Sequence, residues 1–454
     1  MSVDRTVMPA VGDDPRFVFP AIERHRLTNG LDVRVVTQGD LPILSLALTV
    51  PSGSSTDPDG QHGLAGVVAD MVDEGTGSLD AIQVSEALAA IGGDYDVEVG
   101  ADVTVFALTT LARFADRGAT LLADMVTRPR LHESDFARVR QLRRDRIKQS
   151  NDVPAAVAER AFLKVLYGDH PYGHTAIGDD EALASLTLDD VAGAHRVLYR
   201  PAGSTLVVTG GLPASELRAI AERGFAGWVV EGSAPPGSAK VAPDPAPSTP
   251  RLALVPRPTA QQSELRIGRL AAGRRTSDYF PLIVMNAVLG GQFVSRINLK
   301  LREEKAFTYG ARTGFDWRRG VAPLALYTSV HTASTAEAVS DALREFDALR
   351  GERPVSVSEL ELAKASLTRG YPQNFQTVSQ VARAVGQLAL YDLPHDYFTN
   401  FGPNVHAVTV DDVTRVARAY LDPSSLSVLV VGDPSVAEPL AALGLPPLEI
   451  LPVS

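Results

Sequence analysis

The chain has 454 residues, 45% hydrophobic and 21% charged, with 43 Lys and Arg against 54 Asp and Glu and a formal net charge of −11. That length exceeds one ordinary core and predicts two to four domains, while the acidic balance argues against a nucleic acid or an anionic membrane as main partner. There is no cysteine, which excludes disulfides, thiolate nucleophiles and cysteine-ligated metal centres.

Met1 to Pro20 carries Asp4, Asp13 and Asp14 and no apolar run of signal-peptide length. No segment has about 18 consecutive apolar residues, so no membrane span is expected. The expected compartment is cytoplasmic, a periplasmic one requiring a leader before Met1. Leu31–Val36 and Ile43–Pro51 read as strands, and Gly63–Glu74 as a helix. Val103–Leu111, rich in Val, Thr and Phe, is a further strand. Glu133–Ser150 reads as a strongly basic helix with Arg138, Arg140, Arg143, Arg144, Arg146 and Lys148. Phe136 is its one aromatic residue, so a solvated face or a contact for an acidic partner fits it better than nucleic acid. His170 and His174 are interrupted by Pro171 and Gly173, which predicts a packed turn and not a helical metal pair. His62 and Glu74, twelve residues apart, lack ligand spacing.

Thr187-Leu188-Asp189-Asp190-Val191 recurs as Thr409-Val410-Asp411-Asp412-Val413, an offset of 222. Pro201 and Pro423, and Gly210 and Gly432, keep that offset. Each copy predicts a Thr-capped helix leading through a Pro turn to a short apolar strand, Ser204–Thr209 or Leu426–Val431. Two homologous halves follow. Between them, six prolines from Pro235 to Pro250 read as an extended linker, giving domains at 1–231 and 251–454 with a linker over 232–250. In the second half Arg251–Val255, Leu265–Arg269, Tyr309–Phe315 and Leu324–Val330 read as strands. Phe280–Leu289, stopped by Gly290-Gly291, and Ala336–Leu349 read as helices. Strands and helices mix without strict βαβ alternation, an α+β pattern.

The most telling stretch runs from Gly63-Leu64-Ala65-Gly66 through Ala69-Asp70-Met71 to Gly75-Thr76. It resembles the inverted zinc motif H-x-x-E-H of the pitrilysin/insulinase-type (M16) peptidases. In that resemblance the two ligand histidines fall on Gly66 and Asp70 and the base glutamate on Ala69. The third ligand, a glutamate 76 residues further, falls on Arg146. A guanidinium offers no lone pair, and a catalytic zinc needs about three protein ligands, so no metal is assigned to this chain. Leu166 to Gly173, the segment Leu186-Thr187 with Asp189-Asp190, and Leu301-Arg302-Glu303-Glu304-Lys305 with Tyr309 also resemble family segments, over about Val18 to Asp433.

The resemblance implies two homologous α+β domains, each a mainly antiparallel sheet with helices packed on one face, together forming half of a clamshell. It implies a non-catalytic, substrate-binding subunit of a heterodimeric zinc metallopeptidase acting on unfolded peptides, inactive alone. Zinc would sit in a homologous partner with an intact H-x-x-E-H, and a homodimer could form in that partner's absence. Arg302 and Tyr309, seven residues apart, would reach the partner's active site. There Arg can fix a carbonyl or carboxylate, and the Tyr hydroxyl can donate to an oxyanion. The plainer alternative is a surface Arg paired with Glu303 or Glu304 and a packed strand Tyr. Asp70 and Arg146 would face each other where the metal would sit and form an ion pair. Gly290-Gly291 reads as a helix stop, although the family also places a glycine-rich loop there. The competing function is a structural or assembly protein that keeps the fold without proteolysis; an independent hydrolase lacks any G-x-S-x-G or phosphate-loop motif.

Overall fold

The computed structural model describes residues 6, 12, 17–229, 243–245 and 249–452. Most of the expected linker at 232–250 therefore lies outside the described residues. The first half runs β1 (Glu23–Arg26), β2 (Asp32–Thr37), β3 (Ile43–Val50), α1 (Leu64–Asp70), β4 (Gly75–Thr76), β5 (Leu79–Asp80), α2 (Ala81–Ala90), β6 (Asp94–Val99) and β7 (Thr104–Leu111). It continues through α3 (Ala115–Thr127), α4 (Glu133–Ser150), α5 (Pro154–Tyr167), α6 (Asp180–Ser185), α7 (Leu188–Leu198), β8 (Thr205–Gly210) and α8 (Ala214–Phe225). The second half begins β9 (Leu252–Pro256), β10 (Gln262–Leu270), α9 (Tyr279–Leu289), α10 (Arg296–Asn298), a π-helical turn (Leu299–Glu304), β11 (Ala311–Phe315) and β12 (Pro323–His331). It ends α11 (Thr335–Arg350), α12 (Val357–Thr368), α13 (Val378–Leu390), α14 (Tyr397–Ala407), α15 (Val410–Tyr420), β13 (Ser427–Gly432), α16 (Ala437–Ala441) and β14 (Leu448–Ile450).

Two six-stranded sheets organise these elements, in the orders β6-β7-β3-β8-β2-β1 and β11-β12-β10-β13-β9-β14. In each, four central strands correspond one to one, with a single parallel pair, β2 with β8 and β9 with β13. The last strands differ: β1 runs antiparallel to β2, whereas β14 runs parallel to β9. The duplication is visible in detail. Thr187 and Thr409 each cap a helix in a reciprocal capping box, with Asp190 and Asp412. The strands that follow, β8 and β13, also start 222 residues apart.

Strands β9 and β13 read as apolar runs because both their faces are covered. On β9, Leu252 and Leu254 face the second half's own helices, while Ala253 and Val255 face the other way. That outer face is covered by α5, a helix of the first half, through Val157, Ala158 and Phe162 against Val255, Leu429 and Val431. Reciprocally, α13 of the second half covers Val36, Ala47 and Val207 of the first sheet with Val381, Ala382 and Val385. Each half's own helices thus take one face of its sheet, and each half lends one helix to the other. A buried arginine marks both seams. Arg34 donates to the Val385 carbonyl at 3.4 Å, and Arg266 donates to the Ala155 carbonyl at 3.3 Å.

Two expected elements end elsewhere. The helix expected to Glu74 stops at Asp70, because the chain must turn to pair Gly75–Thr76 with β5. Gly75 makes that turn at φ +147°, and a Cβ there would lie 2.8 Å from the Leu79 carbonyl oxygen. Tyr309 lies outside β11, which starts at Ala311; Thr308 bonds both the Gly310 amide and its carbonyl and turns the chain first.

The lent helices make the halves one cooperative unit. Val385→Asp puts an unpaired carboxylate into the seam between α13 and the first sheet. It is expected to cost about 3–5 kcal/mol in a single urea transition followed by both far-UV and tryptophan signals.

Candidate functional site

The helix α1 opens at Gly63, held at φ +100° against Gly178, where a Cβ would lie 2.9 Å from the Gly178 Cα. Gly63 has no side chain to cap the helix, and Asp57 does it instead. Its two carboxylate oxygens accept from the Gly63 and Ala65 amides at 2.7 Å each. Asp57 also pairs with His174 Nε2 at 3.2 Å, and the His174 ring stacks on His62 with centroids 4.0 Å apart. His62 Nδ1 in turn lies 2.7 Å from Asp179. The two histidines, 112 positions apart, thus join the start of α1 to the loop before α6. His170 sits elsewhere in the same loop, in the expected packed turn, with its Nδ1 accepting from the Tyr172 amide at 3.1 Å.

Gly66, Ala69 and Asp70 follow on α1. A Cβ on Gly66 would lie 2.6 Å from the Ala176 oxygen and 2.6 Å from Arg143 Cζ. Ala69 is wholly buried in the first half's core. Asp70 is partly exposed and faces α4. Arg146 Nη1 approaches Asp70 Oδ2 at 3.8 Å, an ion-pair distance beyond hydrogen bonding, with its side chain 62% exposed. The nearer partner is Arg143, whose Nε lies 2.9 Å from the same oxygen and whose Nη1 donates to the Ala176 carbonyl at 3.2 Å. Burial works against the Arg143 charge and Asp70 supports it. Arg146 thus stands at the looser end of a contact led by a residue that the motif spacing does not indicate, and it makes no bidentate pair with Asp70.

One carboxylate, already engaged by two arginines, does not fit a catalytic zinc, which takes three protein ligands and an open position. Among the described residues no group of three or more His, Asp or Glu is placed to hold a metal ion. The basic face of α4 is occupied from within the chain. Arg138 pairs with Glu74, Arg144 with Asp180 through two hydrogen bonds of 2.8 and 3.0 Å, and Arg140 donates to the Leu186 carbonyl. Acids of the same chain thus take the place of an acidic partner. Just past α1, burial pushes the Asp73 carboxyl up to about 6, with Glu74 and Asp70 adding to the effect.

The second constellation lies after α9. Gly290 and Gly291 end that helix in close packing: a Cβ would come within 2.7 Å of the Thr313 amide at Gly290 and 2.6 Å from Asn286 Nδ2 at Gly291. Arg302 rides the π-helical turn, a rare geometry frequent at functional sites. Its guanidinium pairs with Glu303 at 3.2 Å and lies 4.1 Å from the Phe293 ring centroid, with Nη1 buried and without a hydrogen bond. Asn298 bonds the Phe293 carbonyl at 2.7 Å and the Ala311 amide at 3.0 Å, tying the glycine loop to the start of β11. Tyr309, between them in sequence, is 93% exposed.

The family description "Insulinase (Peptidase family M16)" matches residues 34–180, and "Peptidase M16 inactive domain" matches residues 185–367. The chain belongs to the M16 peptidase family. It is similar to a Mycobacterium tuberculosis protein described as an uncharacterized zinc protease, 26% identical over 88% of this chain and 91% of that one. The beta subunit of the mitochondrial-processing peptidase of Lentinula edodes is 22% identical over 91% of this chain and 90% of its own. Among solved structures, the peptidase M16 inactive domain of Pseudomonas fluorescens superposes with a TM-score of 0.85 at 22% identity, covering 94% of this chain and all of that one. A protease from Helicobacter pylori gives 0.82 at 19% identity, covering 91% of this chain and all of that one. Against that fold, this M16 chain lacks the zinc motif, since Gly66, Ala69, Asp70 and Arg146 supply a single carboxylate. No helix of the described residues is long and apolar enough to cross a membrane.

The Asp73 shift has a stability consequence. Its folded-state value lies above the ordinary carboxylate value of 3.8, so the folded state holds the proton more tightly. The contribution of Asp73 to stability is therefore fullest below about pH 4 and is lost as pH rises through 6. Asp73→Asn is expected to raise the urea-unfolding free energy at pH 7.5 by about 1–3 kcal/mol and leave it unchanged at pH 4. Equal stabilities at both pH values would show that Asp73 carries no such penalty.

Proposed function

We propose that this M16 chain is the non-catalytic, substrate-binding subunit of a two-chain zinc metallopeptidase acting on unfolded peptides. A homologous chain with an intact H-x-x-E-H would hold the zinc, and the two would close as a clamshell. Arg302 and Tyr309 would enter the partner's site. The observation that carries this reading is the contrast between the two halves. Among the described residues the first holds no group of three or more metal donors, while the second presents Tyr309 with 93% of its surface free, seven residues after an arginine whose Nη1 makes an ion pair with Glu303 but no hydrogen bond.

The edge strand β6 suits an extended peptide. It pairs only with β7, leaving its other side open to strand addition. Its inward residues Tyr95, Val97 and Val99 pack on the first core, while Asp94 and Glu98 stand in solvent with Asp96, which meets Arg383 of α13 at 2.6 Å. A substrate lying there would pass above α1 and its replaced motif. The beta subunit of the Lentinula edodes peptidase is, by its description, one subunit of a larger enzyme, which agrees with a working partner here.

The test is co-expression with the H-x-x-E-H homologue of the same genome and assay on quenched fluorescent peptides. This chain alone is expected to be inactive. In the complex, Arg302→Ala and Tyr309→Phe are each expected to lower kcat by about 10²–10³, with the two chains still co-eluting on size exclusion. Full activity of the double variant would return the chain to the structural or assembly reading.

A further inference from the structure

Arg143 comes from the core side of α4. Phe136, Val139, Arg143 and Ile147 recur at helical spacing and are all buried. The guanidinium arrives where the motif of an active member would face its metal. It lies across Gly66, so that its Nη2 and Cζ take the volume into which any side chain at that position would grow. Its Nε reaches Asp70, at the second histidine position, and its Nη1 is fixed by the Ala176 carbonyl. Arg146, at the third ligand position, meets the same Asp70 oxygen.

We propose that the Arg143 guanidinium is the resident cation of this site. It ties α1 to α4 through Asp70, as a shared metal would, and it shuts the site to divalent ions whatever stands at the three ligand positions and the base position. Two features make the replacement self-consistent. An arginine cannot shed its charge at any working pH, so a divalent ion would meet fixed positive charge from Arg143 and Arg146 against Asp70, with Asp57 the further carboxylate acting on Arg143. And Gly66 suits the arginine: a Cβ there would meet both the guanidinium and the Ala176 carbonyl oxygen, and glycine leaves both in place. The lost zinc site is therefore a property of five positions, the fifth outside the ligand pattern. This inference does not depend on what Arg302 and Tyr309 do.

Two experiments test it on the full chain. Alanine in place of glycine within a helix ordinarily stabilises, yet Gly66→Ala is expected to lower Tm here. In an Arg143→Ala background, where only the Ala176 carbonyl still crowds the new Cβ, the same change is expected to lower Tm by less. A Gly66→Ala protein as stable as the parent would overturn the proposal. The second experiment measures zinc by mass spectrometry after dialysis against the metal. The variant Gly66→His, Ala69→Glu, Asp70→His, Arg146→Glu is expected to retain almost none while Arg143 is present. Adding Arg143→Ala is expected to bring retention to about one ion per chain. Stoichiometric zinc in the four-position variant, or none in the five-position variant once circular dichroism shows it folded, would each overturn the proposal.

Discussion

A sheet whose strands are apolar on both faces needs two covers, and a half of about 200 residues here supplies only one. The second cover comes from the other half in each direction, α5 outward and α13 inward. This exchange is the constraint from which the rest of the molecule follows. It explains why β9 and β13 carry almost no polar alternation: β13, for instance, is buried along its whole length. It also explains the two buried arginines at the seams. Arg34 and Arg266 lie on sheet faces that would be solvent-exposed in an isolated half, and each finds a backbone carbonyl on the incoming helix.

The exchange also fixes the replaced metal site. The helix that brings Arg143 and Arg146 to α1 is α4, and only three residues separate it from α5. Arg257 of the second half holds that connection, donating to the Asn151 carbonyl at 2.6 Å and to the Asp152 carbonyl at 2.8 Å. The orientation of α4 is therefore set at both ends, by α1 in its own half and by the opposite sheet through α5. A guanidinium can replace a metal as a tie only if its helix is already placed, because one ion pair is weak against the freedom of an unanchored helix.

The sequence shows what is local and hides what is not. The 222-residue repeat is legible because a capping box is written in four consecutive residues, and Thr187–Asp190 and Thr409–Asp412 fold as they read. Helix α4 is legible to the residue. Which sheet α5 or α13 serves is not, since an apolar stripe states that a face is buried and not against what. The motif spacing leads to Arg146, whereas helix phase leads to Arg143, one turn earlier on the stripe of Phe136, Val139 and Ile147. An arginine on an otherwise apolar stripe, opposite a glycine where a ligand would be, is the signal that family spacing overrides. The His62–His174 stack has no local signal, and Phe293 against Arg302 has only the nearness of two residues across a glycine loop.

The contacts that Arg302 makes at rest bear on whether it can act on another chain. Its cation–π contact with Phe293 lies at a partly exposed site and is worth about 0.5–1 kcal/mol. Its pair with Glu303 is a surface ion pair of about 0–1 kcal/mol. A hydrogen bond to a charged acceptor returns about 1.5–3 kcal/mol, and it would give one to the buried Nη1, whose contact with Glu303 at 3.2 Å is an ion pair without a hydrogen bond. The balance favours release once an acceptor such as a peptide carboxylate is presented, and favours the resting pose when none is. Tyr309 needs no such exchange, because nothing holds it. An arginine lightly retained and an exposed tyrosine differ in kind from Arg143, which is buried, ion-paired to Asp70 and hydrogen-bonded to the Ala176 carbonyl. In the proposed roles the same residue type would serve as a permanent cation in the first half and as a movable one in the second, the difference lying in burial and in the number of partners each guanidinium would have to give up.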